Sequence, residues 1–158
     1  MRANSVGKEC VVASQAYLAG LIDGDGSIMA IIERHQEKRF GFRVRIVLKI
    51  TQKLRQDVAF LPELAGCGAV CKNGKTFDWK TRDQNEVLRV LTNVQPYSRV
   101  KRRQIDIAVD ILKTPIESEK DLLAVATLAD TLSRFNVRSN NRRQNYVAKI
   151  QAHFSSND

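Results

Sequence analysis

Residues 13–27 read ASQAYLAGLIDGDGS, and the fold of the chain follows from this stretch. Tyr17, Leu18, Leu21 and Ile22 recur at helical spacing and form one apolar set. Ala16, Gly20 and Gly24 recur every fourth residue and form a second stripe almost bare of side chains. A glycine inside a helix costs about 1 kcal/mol relative to alanine, so a helix with two of them implies another backbone packed close by. The stretch ends in two carboxylates, Asp23 and Asp25, in a run that looks like the middle of a calcium-binding loop. Counting ligands excludes that loop. With Gly26 at its sixth position, the first and twelfth positions are Leu21 and Ile32, which cannot ligate a hard cation, and Glu33 comes one residue late.

The 158 residues suit one domain, residues 1–158, with a real core. No apolar run approaches a membrane span, and the start, MRANSVGKEC, has neither a signal core nor a transit-like stretch. Cys10, Cys67 and Cys71 are too few for a disulfide framework, and they lack partners at zinc-site spacing, so free thiols in a reducing compartment are expected. The 26 Lys and Arg against 17 Asp and Glu give a net charge of +9, a field that favours polyanions.

Two hairpins follow the motif helix, which is expected at about 13–25. Residues 27–36 and 42–52 read as the first pair of strands. Phe42, Val44, Ile46, Leu48 and Ile50 alternate with Arg43, Arg45, Val47 and Lys49, so one face is core and the other a row of cations. Asn73-Gly74 marks the turn of the second hairpin, whose last strand sets Phe77 and Trp79 against Thr76, Asp78, Lys80 and Arg82. The remainder is helical: about 84–95, then helices over about 98–152, with Ser118-Glu119-Lys120-Asp121 as a capping box. Helices on one side of an antiparallel sheet make an α+β fold and leave the other face open. That face carries Arg43, Arg45, Lys49, Lys80 and Arg82, with Glu33, His35, Asn73, Thr76 and Asp78 among them, and Met29, Ile31, Lys38 and Lys75 nearby. Such a mixture suits the edges of bases in a DNA major groove. A ten-residue strand spans about 33 Å, which covers roughly ten base pairs at about 3.4 Å per step.

The run Leu18-Ala19-Gly20-Leu21-Ile22-Asp23-Gly24-Asp25-Gly26 resembles the signature of the LAGLIDADG homing endonucleases. The resemblance extends over nearly the whole chain, because the family unit is an αββαββα arrangement with a saddle-shaped sheet. A single motif in a chain of this length is similar to the homodimeric members encoded by algal chloroplast introns. The resemblance implies a metal-dependent endonuclease that cuts double-stranded DNA at a long pseudo-palindromic site. It implies no membrane or small-molecule substrate, and an intracellular setting, organellar if the gene lies in an organelle intron. Ala16, Gly20, Gly24 and Asp23 then belong to the dimer contact, and Asp25 with the Gly24 carbonyl ligates Mg2+, a site that Mn2+ or Ca2+ can also fill. Gln52 is similar to the polar residue that positions solvent, and Lys101 to the lysine near the scissile phosphate. Arg55 stands for the expected basic residue, although register would place Gln56 there. Arg138, Asn140, Arg142 and Arg143 are expected on backbone phosphates. A non-cleaving RNA maturase or DNA-binding regulator on the same fold is the alternative.

Overall fold

Alternation of apolar and polar side chains forces β2 (Phe42–Gln52) to bury one face, and Ile46, Leu48 and Ile50 are at most 1% exposed. The computed structural model describes the backbone of residues 3–136 and 144–156, and side chains from residue 9 onward. The elements run α1 (Ala3–Asp25), β1 (Gly26–Arg34), β2, a 3-10 turn (Arg55–Asp57), α2 (Leu61–Ala65), β3 (Ala69–Asn73), β4 (Thr76–Thr81) and α3 (Gln84–Val94). Three further helices follow, α4 (Arg102–Lys113), α5 (Glu119–Asn136) and α6 (Tyr146–Ser155). The expected αββαββα unit is therefore present, followed by three helices.

The four strands form one antiparallel sheet in the order β1-β2-β4-β3. Trp79 fills the core beneath it, its indole donating to the Cys67 carbonyl at 3.0 Å. The helices pack on the same side through Leu18, Ala19, Ile22, Ile105, Ala108, Leu122 and Val125. Beyond the end of β4, β2 loses its strand partner, and the Gln84 side chain takes over. Its amide accepts from Ile46 N–H at 2.7 Å and donates to the Ile46 carbonyl at 2.9 Å, continuing the ladder by one step.

Two boundaries differ from the sequence reading. α1 begins ten residues earlier than expected, since the segment ahead of residue 13 holds no proline to stop it. Residues 98–101 are not helical: the backbone N–H groups of Arg99, Val100 and Lys101 are held from outside by Asp23. The expected signals for the turns are borne out. Gly74 adopts φ +58° in a two-residue turn between Asn73 and Thr76. Ser118 and Asp121 cap α5 reciprocally, Ser118 N–H to the carboxylate at 2.8 Å and Asp121 N–H to the hydroxyl at 3.1 Å. The three cysteines are free.

Candidate active site and nucleic-acid interface

The site begins at the end of α1. Leu18, Ala19 and Ile22 are buried, which turns Ala16, Gly20 and Gly24 outward to full exposure. A Cβ built at Gly20 or Gly24 meets nothing within 4 Å. Among the described residues, the bare stripe therefore has no packing partner. Tyr17, 54% exposed, flanks the stripe and lies 6.2 Å from the Phe60 ring.

Helix and strand join without a loop, Asp25 closing α1 and Gly26 opening β1. Glycine is required there, since a Cβ at Gly26 would lie 2.6 Å from the Ile22 carbonyl oxygen. The last carbonyls of a helix lack intrahelical partners, and the end carries a partial negative charge. Asp25 projects into solvent at this pole. Its Oδ2 accepts from Gln52 Nε2 at 2.7 Å, with Gln52 supplied by the last position of β2.

Asp23 faces the opposite way. Its carboxylate accepts from the Ser98 hydroxyl and from the backbone N–H groups of Arg99 (2.7 Å), Val100 (3.2 Å) and Lys101 (3.0 Å). These groups lead into α4, whose N-cap Lys101 has no side-chain cap. Asp23 thus supplies from another helix the acceptor that the start of α4 needs. Burial alone would raise its pKa. The hydrogen bonds from Arg99, Ser98, Lys101 and Val100 outweigh burial and hold it below the ordinary carboxylate value. The same clasp brings in Lys101, whose Nζ donates to the Asp23 carbonyl at 2.7 Å. Asp25, Gln52 and Lys101, spread over 77 positions from residue 25 to residue 101, therefore converge on the last turn of α1. Arg55 and Gln56 are both exposed in the 3-10 turn. Among the described residues, no hydrogen bond or ion pair links Arg55 to Asp25, Gln52 or Lys101.

Among the described residues, no group of three or more His, Cys, Asp or Glu side chains could enclose a metal ion. One chain offers one exposed carboxylate and the free carbonyl end of α1. Those are hard oxygen donors at a negative pole, which fits half of a magnesium-type site, since that ion needs only one or two carboxylates beside water and phosphate oxygens.

The open face of the sheet carries the expected row. Register pairs Glu33 with Arg43, Ile31 with Arg45, Met29 with Val47, and Lys49 with both Ser27 and Lys80. Met29, Ile31 and Val47 make an apolar floor, ringed by Arg45, Lys49, Lys80 and Arg82 around a depression of about 200 Å³. Lys38 lies exposed in the tip of the first hairpin, and Lys75 in the turn of the second. His35 falls just beyond β1, in the hairpin loop, where its N–H donates to the Gly41 carbonyl.

The two carboxylates on this face do not fit the base-contacting role expected of them. Asp78 is 3% exposed. It accepts from Thr51 Oγ1 at 2.7 Å and Asn73 Nδ2 at 2.9 Å, and Lys49 Nζ lies 3.7 Å away. Burial raises its pKa, while Thr51, Asn73 and Lys49 outweigh that and lower it. Glu33 is engaged by Arg43 and Arg45. Arg138, Asn140, Arg142 and Arg143 lie outside the described residues.

Sequence reasoning missed Ser98, Thr51 and the backbone of 99–101. Ser98 ahead of a helix invites reading as its cap, but its hydroxyl serves Asp23, 75 positions away. No local pattern reports such a pair.

The profile of the LAGLIDADG endonuclease family matches residues 18–109. The DNA endonuclease I-CreI of Chlamydomonas reinhardtii is 31% identical over 126 residues, 76% of this chain and 77% of that one. The DNA endonuclease I-CvuI of Chlorella vulgaris is 30% identical over 121 residues, 73% and 74% of the two chains. In fold, the chain is similar to I-CvuI crystallised with the I-CreI target and Mg, its DNA uncleaved (TM-score 0.81, 23% identity, 91% of this chain and 94% of that one). It is also similar to the archaeal intron-encoded homing endonuclease I-Vdi141I complexed with DNA (TM-score 0.75, 22% identity, 91% and 98%). The chain belongs to the LAGLIDADG endonuclease family. Among the described residues, no helix is long and apolar enough to cross a membrane.

Proposed function

We propose that this chain is a homing endonuclease that works as a homodimer, cutting double-stranded DNA at a long pseudo-palindromic site with a divalent metal, Mg2+ by preference. The observation that carries the reading is Asp25, an exposed carboxylate at the negative end of a helix whose bare stripe has nothing packed on it. A second copy packed on Ala16, Gly20 and Gly24 brings the two Asp25 side chains together and completes the half site. Asp25 and the Gly24 carbonyl hold the metal, which, when bound, supplies an activated water and stabilises the leaving oxygen. Gln52 fixes the Asp25 carboxylate by its 2.7 Å hydrogen bond. Lys101, held at the helix end by the Asp23 carbonyl, places an ammonium where charge develops on the phosphate. Arg55 lies near enough in sequence to Gln52 to join the solvent network from its exposed turn. The cationic sheet follows roughly ten base pairs of each half-site, about 3.4 Å per step. The relatives from Chlamydomonas reinhardtii and Chlorella vulgaris favour an intracellular, organellar setting.

The test is cleavage of duplexes selected for tight binding, with Mg2+ and with EDTA. Wild type cuts only with metal, and Asp25→Asn binds with similar affinity but does not cut. Wild type that leaves saturated target intact in every divalent metal overturns the nuclease reading in favour of a non-cleaving relative. Cutting by Asp25→Asn overturns the metal-ligand assignment.

A further inference from the structure

The Glu33 side chain sits at the outer end of the open face between two arginines. Arg43 Nε donates to Oε1 at 2.9 Å, and Arg43 Nη2 donates to the same oxygen. Arg45 Nη2 donates to Oε2 at 3.2 Å. Both carboxylate oxygens are thus engaged by arginine. Hydrogen bonding by Arg43, with the charges of Arg45, Arg43 and His35, outweighs burial and holds Glu33 below the ordinary glutamate value.

The consequence lies in the guanidinium planes. A guanidinium is a rigid fork with five N–H donors. Arg43 commits its Nε–Nη2 edge to Glu33, which turns its other edge, Nη1 with the second hydrogen of Nη2, away from the carboxylate. Arg45 is pinned by Nη2, and its Nε is buried without a hydrogen-bond partner among the described residues. Its Nη1 is likewise uncommitted. Arg43 and Arg45 keep 41% and 26% of their side-chain surface exposed, and with Arg45 Nε buried only the Nη1–Nη2 end of that fork is open to a ligand. A free two-pronged edge matches guanine O6 and N7 in the major groove. Alternate residues on a strand lie about 6.6 Å apart, close to two base-pair steps of about 3.4 Å.

We infer that Glu33 is a positioning residue that sets Arg43 and Arg45 as a pair of guanine readers, within about two base-pair steps of each other in the outer part of each half-site. The inference rests on the proposed DNA-binding role. It makes base preference there depend on a side chain that touches no base. Removing the carboxylate releases two flexible cations, so discrimination falls while attraction to phosphate rises.

The experiment is selection from a randomised duplex library in EDTA, followed by affinity for each base at every position, with wild type, Glu33→Gln and Arg43→Lys. Wild type shows two outer guanines per half-site, each preferred by about tenfold or more. Glu33→Gln reduces both preferences to below about threefold. It leaves the inner positions unchanged and binds random DNA more tightly, with a steeper salt dependence. Arg43→Lys keeps the charge but not the fork, and it loses one guanine while retaining the other. A wild-type profile without outer guanines, or a Glu33→Gln profile that keeps them, overturns the inference. So does a general loss of affinity in Glu33→Gln, which is what a merely structural role would give. Failure of wild type to bind any duplex would instead bring down the DNA-binding reading, and this inference with it.

Discussion

Replacing Asp23 with asparagine tests the clasp between α1 and α4. The carboxylate accepts four hydrogen bonds, and the asparagine amide presents a donor toward part of the same cluster of donors. Two of the four, from Arg99 and Val100, lie in exposed surroundings where water can replace the lost acceptor. The other two, from Ser98 and Lys101, are partly buried. Hydrogen bonds to a charged group contribute about 1.5–3 kcal/mol each. The lower figure for the two partly buried bonds gives a loss of about 3 kcal/mol. For a chain of this size that corresponds to a Tm lower by roughly 6–12 °C. The pH dependence has a definite sign. Because the folded pKa of Asp23 is depressed, the unfolded chain takes up its proton first as pH falls. The stabilisation is complete above the ordinary value of 3.8 and is lost as pH drops through the lower folded value. Urea denaturation of wild type and Asp23→Asn at one protein concentration, from pH 7 down to about pH 2, measures this, the concentration being fixed because the proposed dimerisation would contribute to stability. The gap should be full at neutral pH and close below about pH 4. A difference in unfolding free energy under about 1 kcal/mol at pH 7, or a gap that does not change with pH, would refute the reasoning.

Gly20→Leu is expected to leave the protomer folded, because a Cβ at that position meets nothing within 4 Å, but to block association. Gel filtration should show monomer with unchanged circular dichroism, together with loss of cleavage; a dimer of normal elution volume would count against the stripe as interface. Gly26→Ala should lower stability by about 1–3 kcal/mol, since the new methyl would sit 2.6 Å from the backbone oxygen of Ile22. Thermal melting checks it, and an unchanged Tm would mean that the helix–strand junction yields.

The sheet was legible in the sequence because its signal is local. Every second residue of β2 points one way, so a list of side chains becomes a list of faces, and the register of β1 with β2 follows from matching their apolar sets. The bare stripe of α1 was legible for the same reason. Gln52 and Lys101 were not legible from spacing, and only the family resemblance suggested them. The structure then brings both to the end of α1 through contacts spanning 27 and 78 positions. The carboxylates of the sheet were misread for a different cause. Composition says that Glu33 and Asp78 share a face with cations, but only distances say whether a carboxylate looks toward a ligand or binds its neighbours. Helix length was also underread, since the first turns of α1 lack the apolar periodicity that marks a buried helix.

The direct passage from Asp25 to Gly26 makes the carboxylate proposed to cut and the strand proposed to read consecutive in the chain. No loop lies between them, and the backbone at Gly26 packs so closely that a Cβ would lie 2.6 Å from the Ile22 carbonyl oxygen. The chain is therefore a ruler with the blade fixed to its zero mark. In the proposed complex, exchanging side chains along β1 and β2 would change which bases are read, while the backbone would hold their distance from the broken bond.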